Sequence, residues 1–234
     1  MIEFDSVSYA FEDVPVIDEL SLSIDDGEFV ALAGANGSGK TTLLRHCNGL
    51  LSPDEGAVLV DGRPVEDDLI AARSSIGMVF QHPRDQFVAA TIGADVAFGP
   101  ENLGLERSEI DRRVEASLEA VNMAGRETER IDALSGGEQA RVAIAGALAM
   151  EPSHLILDEP FTGLDDPARR SVLSRLESLA ENDTGVVLAT HDLRDVIDLA
   201  DRVVAMRNGR VIVDDRPDRA LAGLDGAEVR VPRC

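Results

Sequence analysis

Apolar residues alternate with polar ones near the start of the chain and form unbroken runs further on. Leu20, Leu22 and Ile24 alternate with polar neighbours, which predicts a strand with one buried face. Unbroken apolar runs predict strands that are buried on both sides. Such runs occupy residues 29–33, 155–157 and 186–189, and shorter β-rich stretches occupy 57–60 and 76–80. Asn208 and Gly209, between two further β-rich stretches, predict a hairpin turn.

The middle of the chain has helical spacing instead. Residues 41–50 predict a short helix, and apolar side chains recur at helical spacing from Ile110 to Val121. Ser108 and Asp111 form a capping-box pattern, which predicts where this second helix begins. Two more helices are predicted. One runs from just after Gly137 to Met150, and the other starts at Asp166 and Pro167, since proline suits the first helical turn.

The order of these elements predicts the fold class. Strands that alternate with helices at both ends of the chain indicate an α/β protein with a mostly parallel central sheet. The helical middle is then an insertion into that sheet. We therefore expect one domain over residues 1–234, with a core formed by 1–81 and 151–234 and a helical subdomain formed by 82–150.

Charge narrows the possible functions. The chain has 44 acidic and 22 basic residues, a net charge of −22. This excludes a general nucleic-acid-binding protein, because no basic stripe could replace the counterions of phosphates. All basic residues but Lys40 are arginine. An acidic, lysine-poor surface is typical of proteins that work in molar salt, where the Debye length is about 3 Å and repulsion is screened. We expect this protein to need such salt.

Location and redox state also follow from composition. No apolar run is close to the roughly 18 residues that cross a bilayer, and residues 1–5 lack the basic and apolar regions of a secretory signal. We therefore expect a cytosolic protein. Cys47 and Cys234 are the only cysteines and belong to no CxxC motif, so neither a disulfide framework nor a zinc site is predicted.

A glycine-rich loop between a predicted strand and a predicted helix carries the strongest chemical signal. Gly34, Gly39, Lys40 and Thr41 satisfy the P-loop spacing G-x-x-x-x-G-K-[ST]. Glycines let successive backbone N–H groups face a phosphate, and the helix N-terminus adds positive potential. Lys40 is expected to bind the β- and γ-phosphates, and the Thr41 hydroxyl to bind Mg²⁺. The loop residues predicted to bind nucleotide are Gly34, Asn36, Gly37, Ser38, Gly39, Lys40, Thr41 and Thr42.

Two carboxylates end the strand predicted at residues 155–157. Neighbouring side chains on a strand point to opposite sides, so Asp158 and Glu159 can have different roles. We expect Asp158 to hold Mg²⁺ through its hydration shell and Glu159 to polarise the attacking water. Guanine is disfavoured as the base, because the Asn-Lys-x-Asp element that reads it needs a lysine and Lys40 is already used.

Several stretches in a fixed order resemble the ATP-binding subunit of ATP-binding-cassette (ABC) transporters over nearly the whole chain. Besides the P-loop and the paired carboxylates, residues 134–138 (Leu-Ser-Gly-Gly-Glu) resemble the signature loop, Gln81 the Q-loop glutamine, and Asp165 the D-loop. His191 resembles the switch histidine. The resemblance implies a P-loop NTPase fold with a mostly parallel central sheet, an N-terminal antiparallel β subdomain and an inserted helical subdomain.

The resemblance also implies site roles. ATP and Mg²⁺ are the expected cofactors, and a second ABC ATPase subunit, identical or different, is the expected partner. Ser135, Gly136 and Gly137 of one subunit would complete the ATP site of the other. Glu138 replaces the commoner glutamine and is expected to point away from the nucleotide. The resemblance implies three sets of roles. The catalytic residues are Glu159, His191, Gln81 and Lys40, and the Mg²⁺-binding residues are Thr41, Gln81 and Asp158. Phe11 stacks on the adenine, with Tyr9 as the alternative.

Residues 80–87 and 95–105 resemble the ATPase of energy-coupling-factor importers, which take up cobalt, nickel, biotin and other vitamins. That resemblance implies a transmembrane coupling protein and a substrate-binding membrane protein as partners, and a location on the cytoplasmic face of the membrane. A soluble or exporter ATPase, such as one for iron–sulfur assembly, is the alternative. Repair-type relatives carry long coiled-coil insertions and translation-type relatives carry two cassettes, and this chain has neither.

Overall fold

The computed structural model describes residues 1–181 and 183–232, so Cys234 lies outside the described part. The strands are β1 Ile2–Phe11, β2 Val14–Ile24, β3 Phe29–Ala33, β4 Glu55–Val60, β5 Arg63–Pro64, β6 Ile76–Val79, β7 His154–Asp158, β8 Gly185–Thr190, β9 Arg202–Arg207 and β10 Arg210–Asp215. The helices are α1 Lys40–His46, α2 Leu69–Ser75, α3 Ile92–Asn102, α4 Arg107–Ala120, α5 Gly136–Ala149, α6 Asp166–Ala180 and α7 Pro217–Ala220. Short 3₁₀ turns occupy Pro83–Gln86, Ile131–Ala133 and Leu221–Gly226.

The strands form two sheets. The larger has the order β10-β9-β3-β8-β7-β6, in which all pairs are parallel except β9 with the edge strand β10. The smaller has the order β2-β1-β4-β5 and is antiparallel throughout. The predicted α/β class, the mostly parallel central sheet and the N-terminal antiparallel sheet are confirmed.

The central sheet separates two hydrophobic cores. Along β3, Phe29, Ala31 and Ala33 face the core that contains the helices α3 to α6, whereas Val30 and Leu32 face the antiparallel sheet and α1. All five residues are buried. This is the physical reason why the strand has no polar position: alternate side chains enter two different cores. The same alternation divides β7, where Ile156 faces the antiparallel side.

Two helix boundaries differ from the sequence predictions. Helix α1 ends at His46 rather than Leu50, because Gly49 has φ +64° and the Leu50 N–H donates to the Arg45 carbonyl, which closes the helix. Helix α4 begins at Arg107 with Glu106 as its N-cap and no side-chain cap. The capping box predicted from Ser108 and Asp111 is therefore wrong.

The remaining element predictions are confirmed. Helix α6 starts at Asp166 with Pro167 next to it, and Val172 and Leu176 are fully buried. Asn208 and Gly209 both have positive φ, +50° and +77°, in the tight turn between β9 and β10. In the helical region, Leu118 of α4 is fully buried in the larger core.

Candidate nucleotide site

The candidate site lies where four parallel strands end. Because these strands run in the same direction, the residues that follow them meet at one edge of the sheet. Gly34 follows β3, Gln81 comes two residues after β6, Glu159 follows β7 and His191 follows β8. The register pairs Ala33 with Thr190 and the end of β7 with β8.

The glycine loop is shaped by close backbone contacts. At Gly34 a Cβ atom would lie 2.6 Å from both the Met206 carbonyl oxygen and the Ser38 hydroxyl, so no side chain fits. Gly39 caps α1 with φ +105°, a conformation that other residues rarely adopt. The Ser38 hydroxyl is buried and has no hydrogen-bond partner among the described residues. An unpaired buried hydroxyl inside a glycine loop is a donor available to a phosphate oxygen.

Lys40 is the ammonium group of this loop. It is 6 % exposed, and its Nζ donates to the carbonyls of Gly34 at 2.7 Å and Ala35 at 3.0 Å. Burial lowers the pKa of Lys40, and the nearby carboxylates of Glu159 and Asp158 partly oppose that shift. The cation is thus held at the mouth of the loop beside two negative groups, and it can exchange its carbonyl partners for phosphate oxygens.

Thr41 and Asp158 form the candidate Mg²⁺ site. The Thr41 hydroxyl donates to Asp158 Oδ2 at 2.7 Å, while Asp158 Oδ1 is buried without a partner. Burial raises the pKa of Asp158, against the opposing effect of the Thr41 hydrogen bond. Oxygen donors with a free buried carboxylate oxygen suit Mg²⁺, which also uses water and substrate phosphates. Among residues 1–181 and 183–232, no three His, Cys, Asp or Glu side chains form a group that could hold a metal ion by themselves.

Glu159 and His191 form a hydrogen-bonded pair. Glu159 Oε1 accepts both the His191 backbone N–H at 3.0 Å and the ring Nδ1 at 2.8 Å. Glu159 has φ +50°, and its backbone N–H donates to the Ala189 carbonyl at 3.0 Å. The Thr190 hydroxyl, which sequence reasoning did not single out, donates to Glu159 Oε2 at 3.4 Å. In the sequence, Thr190 is marked only by its place directly after an apolar run and before His191; in the structure it is the last residue of β8.

These groups border one cavity of about 330 Å³. Its lining residues are Val16, Asn36, Gly37, Gly39, Lys40, Thr41, Thr42, Gln81, Asp158 and Glu159. Six of the eight predicted loop residues thus line one cavity with Gln81, Asp158 and Glu159, whereas Gly34 and Ser38 are not among its lining residues. The cavity is large enough for a phosphate chain and its Mg²⁺ ion.

The signature loop lies outside this cavity. Ser135 caps α5 in a capping box: the Glu138 N–H donates to the Ser135 hydroxyl at 3.4 Å, and the Ser135 N–H donates to Glu138 Oε2 at 2.8 Å. The Ser135 hydroxyl also donates to Glu138 Oε2, at 2.7 Å. Glu138 Oε1 accepts from Arg126 Nη1 at 2.7 Å. The hydrogen bonds from Ser135 and Arg126 lower the pKa of Glu138 to about 2, and the bond from the Ser135 hydroxyl has the largest effect. Arg126 is eight residues before the loop, and no sequence pattern marked it. Gly136 and Gly137 follow at the exposed helix tip.

The remaining predicted residues lie on exposed segments. Asp165 is in the loop before α6, and its carbonyl accepts the Arg169 N–H at 2.9 Å. Phe11 ends β1 and is 61 % exposed, which leaves its ring available to stack. Tyr9 instead packs edge-on against His46, with 5.1 Å between ring centroids. Phe11, His191, Asp165 and the signature residues do not line the cavity in the described part of this chain.

Sequence comparison identifies relatives over the full length. The sequence profile described as "ABC transporter" matches residues 17–162. A putative ABC transporter ATP-binding protein of Halobacterium salinarum is 60 % identical over 99 % of this chain and 100 % of the relative. The cobalt import ATP-binding protein CbiO of Syntrophus aciditrophicus is 46 % identical over 96 % of this chain and 81 % of the relative. The energy-coupling factor transporter ATP-binding protein EcfA of Methanothermobacter thermautotrophicus is 41 % identical (100 % and 77 % covered).

Structure comparison agrees. The structure of cbiO1 from Clostridium perfringens, part of the ABC transporter complex cbiONQ, has a TM-score of 0.84 at 35 % identity (94 % and 90 % covered). A dimeric ATP-binding cassette in a post-hydrolysis state, bound to ADP and phosphate, has a TM-score of 0.84 at 28 % identity (93 % and 99 % covered). None of the helices in the described residues is long and apolar enough to cross a membrane. The chain therefore belongs to the ABC transporter family, as an ATP-binding subunit that hydrolyses ATP.

Proposed function

We propose that this chain is the ATPase of an energy-coupling-factor importer, which couples ATP hydrolysis at a dimer interface to the uptake of cobalt, nickel or a vitamin such as biotin. The names of the relatives CbiO and EcfA support this transporter class. The observation that carries the catalytic part is the convergence of Lys40, the Thr41–Asp158 pair and Glu159 around one cavity, with His191 bonded to Glu159.

The residues have separate roles in this proposal. The backbone N–H groups of the loop 34–39, the Ser38 hydroxyl and Lys40 bind the phosphate chain. Thr41, Asp158 and Gln81 hold Mg²⁺, which would neutralise charge on the β- and γ-phosphates. Glu159 orients the attacking water and accepts its proton. In-line attack of that water on the γ-phosphate then gives ADP and phosphate, and most of the catalysis comes from positioning and charge neutralisation.

His191 reads the γ-phosphate in this proposal. Its Nδ1 faces Glu159, so a phosphate oxygen must be met by Nε2. We infer that Glu159 holds the ring through Nδ1 and leaves Nε2 as the ring atom that meets the γ-phosphate.

A second ABC ATPase subunit supplies the missing part of the site. Ser135, Gly136 and Gly137 lie at an exposed helix tip and outside the cavity of their own chain. A helix N-terminus with a free anion-facing end suits the γ-phosphate bound by a partner. Arg126 neutralises Glu138 next to this tip, which removes the repulsion that a lone carboxylate would exert on ATP. The partner is either a second copy or a related chain.

The membrane partners have a candidate docking groove in the helical region. Arg84, Phe87, Ala90, Arg130 and Asp132 are among the residues that line a groove of about 320 Å³. Its mixture of apolar and charged groups suits a polar-ended helix of a transmembrane coupling protein. We propose that the chain sits peripherally on the cytoplasmic face of the membrane, with this coupling protein and a substrate-binding membrane protein.

Glu159→Gln tests the catalytic assignment. The variant keeps a hydrogen-bonding side chain but cannot accept the proton of water, so it should bind ATP, fail to hydrolyse it and accumulate as an ATP-bound dimer. Size-exclusion chromatography with light scattering, with Mg²⁺ and ATP in molar KCl, measures the dimer. Glu177→Gln, an exposed change of the same kind, is the control. Turnover like the wild type in Glu159→Gln would refute the role of Glu159.

Transport class is tested in membranes. The tagged chain is purified from detergent-solubilised native membranes, and co-purifying proteins are identified by mass spectrometry. We expect a polytopic coupling protein and a small substrate-binding membrane protein, and we expect cobalt, nickel or biotin uptake to stop in cells that carry only Glu159→Gln. Recovery of soluble iron–sulfur assembly proteins instead would favour the alternative class.

A further inference from the structure

The segment after the last 3₁₀ turn pairs with the loop that carries His191. Arg230 forms a parallel β-bridge with Asp192. The Arg230 N–H donates to the His191 carbonyl at 2.9 Å, and the Leu193 N–H donates to the Arg230 carbonyl at 2.8 Å. These two bonds enclose the residue that follows His191, so the loop is held by a segment that lies about 39 residues further along the chain.

His191 is thereby fixed on both of its backbone sides. Its N–H donates to Glu159 Oε1 at 3.0 Å, and its carbonyl accepts from Arg230. The first bond depends on the orientation of a side chain that takes part in the reaction. The second depends only on backbone atoms and on the position of the terminal segment. With both ends held, the ring is confined to a narrow range of positions.

The terminal segment and the turn that leads into it are anchored in the larger core. Ala220 and Leu224 before the segment and Ala227 within it are buried in that core, and Val229 packs against it. The Gly226 carbonyl accepts from Arg207 Nη1 of β9 at 3.1 Å. A segment with these contacts has a defined position, and it can serve as a fixed support for the loop that it touches.

We propose that Arg230 is a positioning residue for His191, and that it acts through its backbone. The Arg230 side chain is 68 % exposed and lies 3.8 Å from the Asp192 carboxylate, so its ion pair contributes little. Without the bridge the loop at 191–193 samples more conformations, and Nε2 of His191 is aimed at the γ-phosphate in fewer of them. ATP binding at the glycine loop does not use this segment. The inference rests on the proposed role of His191.

The test removes one backbone donor. Arg230→Pro deletes the N–H that binds the His191 carbonyl, and the extended backbone of a β-bridge accepts proline. We expect kcat for ATP hydrolysis to fall about 10-fold, in line with about 1.4 kcal/mol for one lost hydrogen bond, with the KM for ATP unchanged within twofold. Arg230→Ala, which removes only the side chain, should lose much less. Val231→Pro is the matched control, because the Val231 N–H bonds no described residue.

A double-variant cycle separates positioning from general damage. In a His191→Ala background, Arg230→Pro should cause no further fall in kcat, because both changes disable the same group. A chain that stops after Glu228 removes the bridge without a proline and should match Arg230→Pro; circular dichroism and the thermal midpoint check that each variant folds. The inference would be overturned by a wild-type kcat in Arg230→Pro, or by a loss of kcat in Val231→Pro as large as that in Arg230→Pro. Additive losses of kcat in the double variant His191→Ala/Arg230→Pro would also overturn it. If His191→Ala alone keeps full turnover, the proposed role of His191 fails instead.

Discussion

Replacing Asp158 by asparagine should stabilise the protein without nucleotide and destabilise it, relative to the wild type, with nucleotide. Asp158 is 4 % exposed, its Oδ1 has no partner, and burial and the neighbouring Glu159 both raise its pKa. Asparagine can keep the acceptor for the Thr41 hydroxyl and removes the buried charge. The energetic cost of that charge is the feature that makes the site ready for a cation.

The magnitude follows from the contacts of this one side chain. Asparagine still places an unpaired polar atom where Oδ1 lies, so the gain comes only from the charge, whose burial adds to the cost of about 1–3 kcal/mol for a neutral unpaired group. The lost attraction to Lys40 offsets part of that gain. We therefore expect a net gain of about 1 kcal/mol in the free energy of unfolding, or about 2–4 °C in the thermal midpoint for a chain of this size. With Mg²⁺ and ATP at 100 times Kd, the wild type gains about 2.7 kcal/mol and the variant gains less, so the order reverses.

The assay is a pair of thermal unfolding series by circular dichroism in molar KCl, one with EDTA and one with Mg²⁺ and ATP. Asp198→Asn is the control, because it removes the same charge from an exposed position. The pKa of Asp158 is higher in the folded protein than in the unfolded chain, so folding is favoured while the carboxyl is protonated. This contribution is complete below the unfolded pKa near 3.8 and is lost as the pH rises through the native pKa, where the buried carboxyl ionises. The advantage of asparagine should therefore be present at pH 7 and disappear as the pH falls towards 3.8. A lower midpoint for Asp158→Asn in EDTA at pH 7 would refute the reasoning.

Four further measurements test other parts of the structure. Lys40→Ala should abolish ATP binding in calorimetric titration, because no other ammonium group is available at the loop; binding at wild-type affinity would contradict this. Phe11→Ala should weaken ATP binding about 10-fold, since stacking on a base contributes about 1–3 kcal/mol, whereas Tyr9→Phe should not. Leu118→Ala should lower the free energy of unfolding by about 2–5 kcal/mol in urea titration, through the cavity left in the larger core. Finally, dialysis from molar to 50 mM KCl should lower the thermal midpoint, because repulsion within a net charge of −22 is then less screened; an unchanged midpoint would exclude salt dependence.

The features that could be predicted from the sequence are those that local pattern determines. The unbroken apolar run at residues 29–33 predicted a strand, and the glycine spacing before Lys40 predicted a phosphate-binding loop; the structure has a fully buried strand there. The strand end before Asp158 and Glu159 predicted two carboxylates with separate roles. The family resemblance added Gln81, His191 and the signature loop, and only the structure shows that the signature loop and His191 lie outside the cavity lining.

Other features depend on contacts between distant residues. The end of α1 is determined by the left-handed turn at Gly49, and the start of α4 by the entry of the chain at Glu106, neither of which a spacing rule identifies. Arg126 reaches Glu138 over twelve residues, and Arg230 reaches His191 over thirty-nine. No periodicity records such pairs, because each member also fits its local setting as an exposed polar residue.

The single lysine makes this loop chemically addressable. Lys40 Nζ is the single side-chain amine in the sequence, so besides the N-terminal amine it is the group that an amine-acylating reagent can modify. The arginine guanidinium groups stay protonated and do not react with such reagents. Its lowered pKa favours the uncharged, nucleophilic amine, while burial and two carbonyl partners restrict approach. One mass increment on one tryptic peptide therefore reports the occupancy of the phosphate-binding loop, in whole membranes as well as in purified protein, without a tag or an engineered probe.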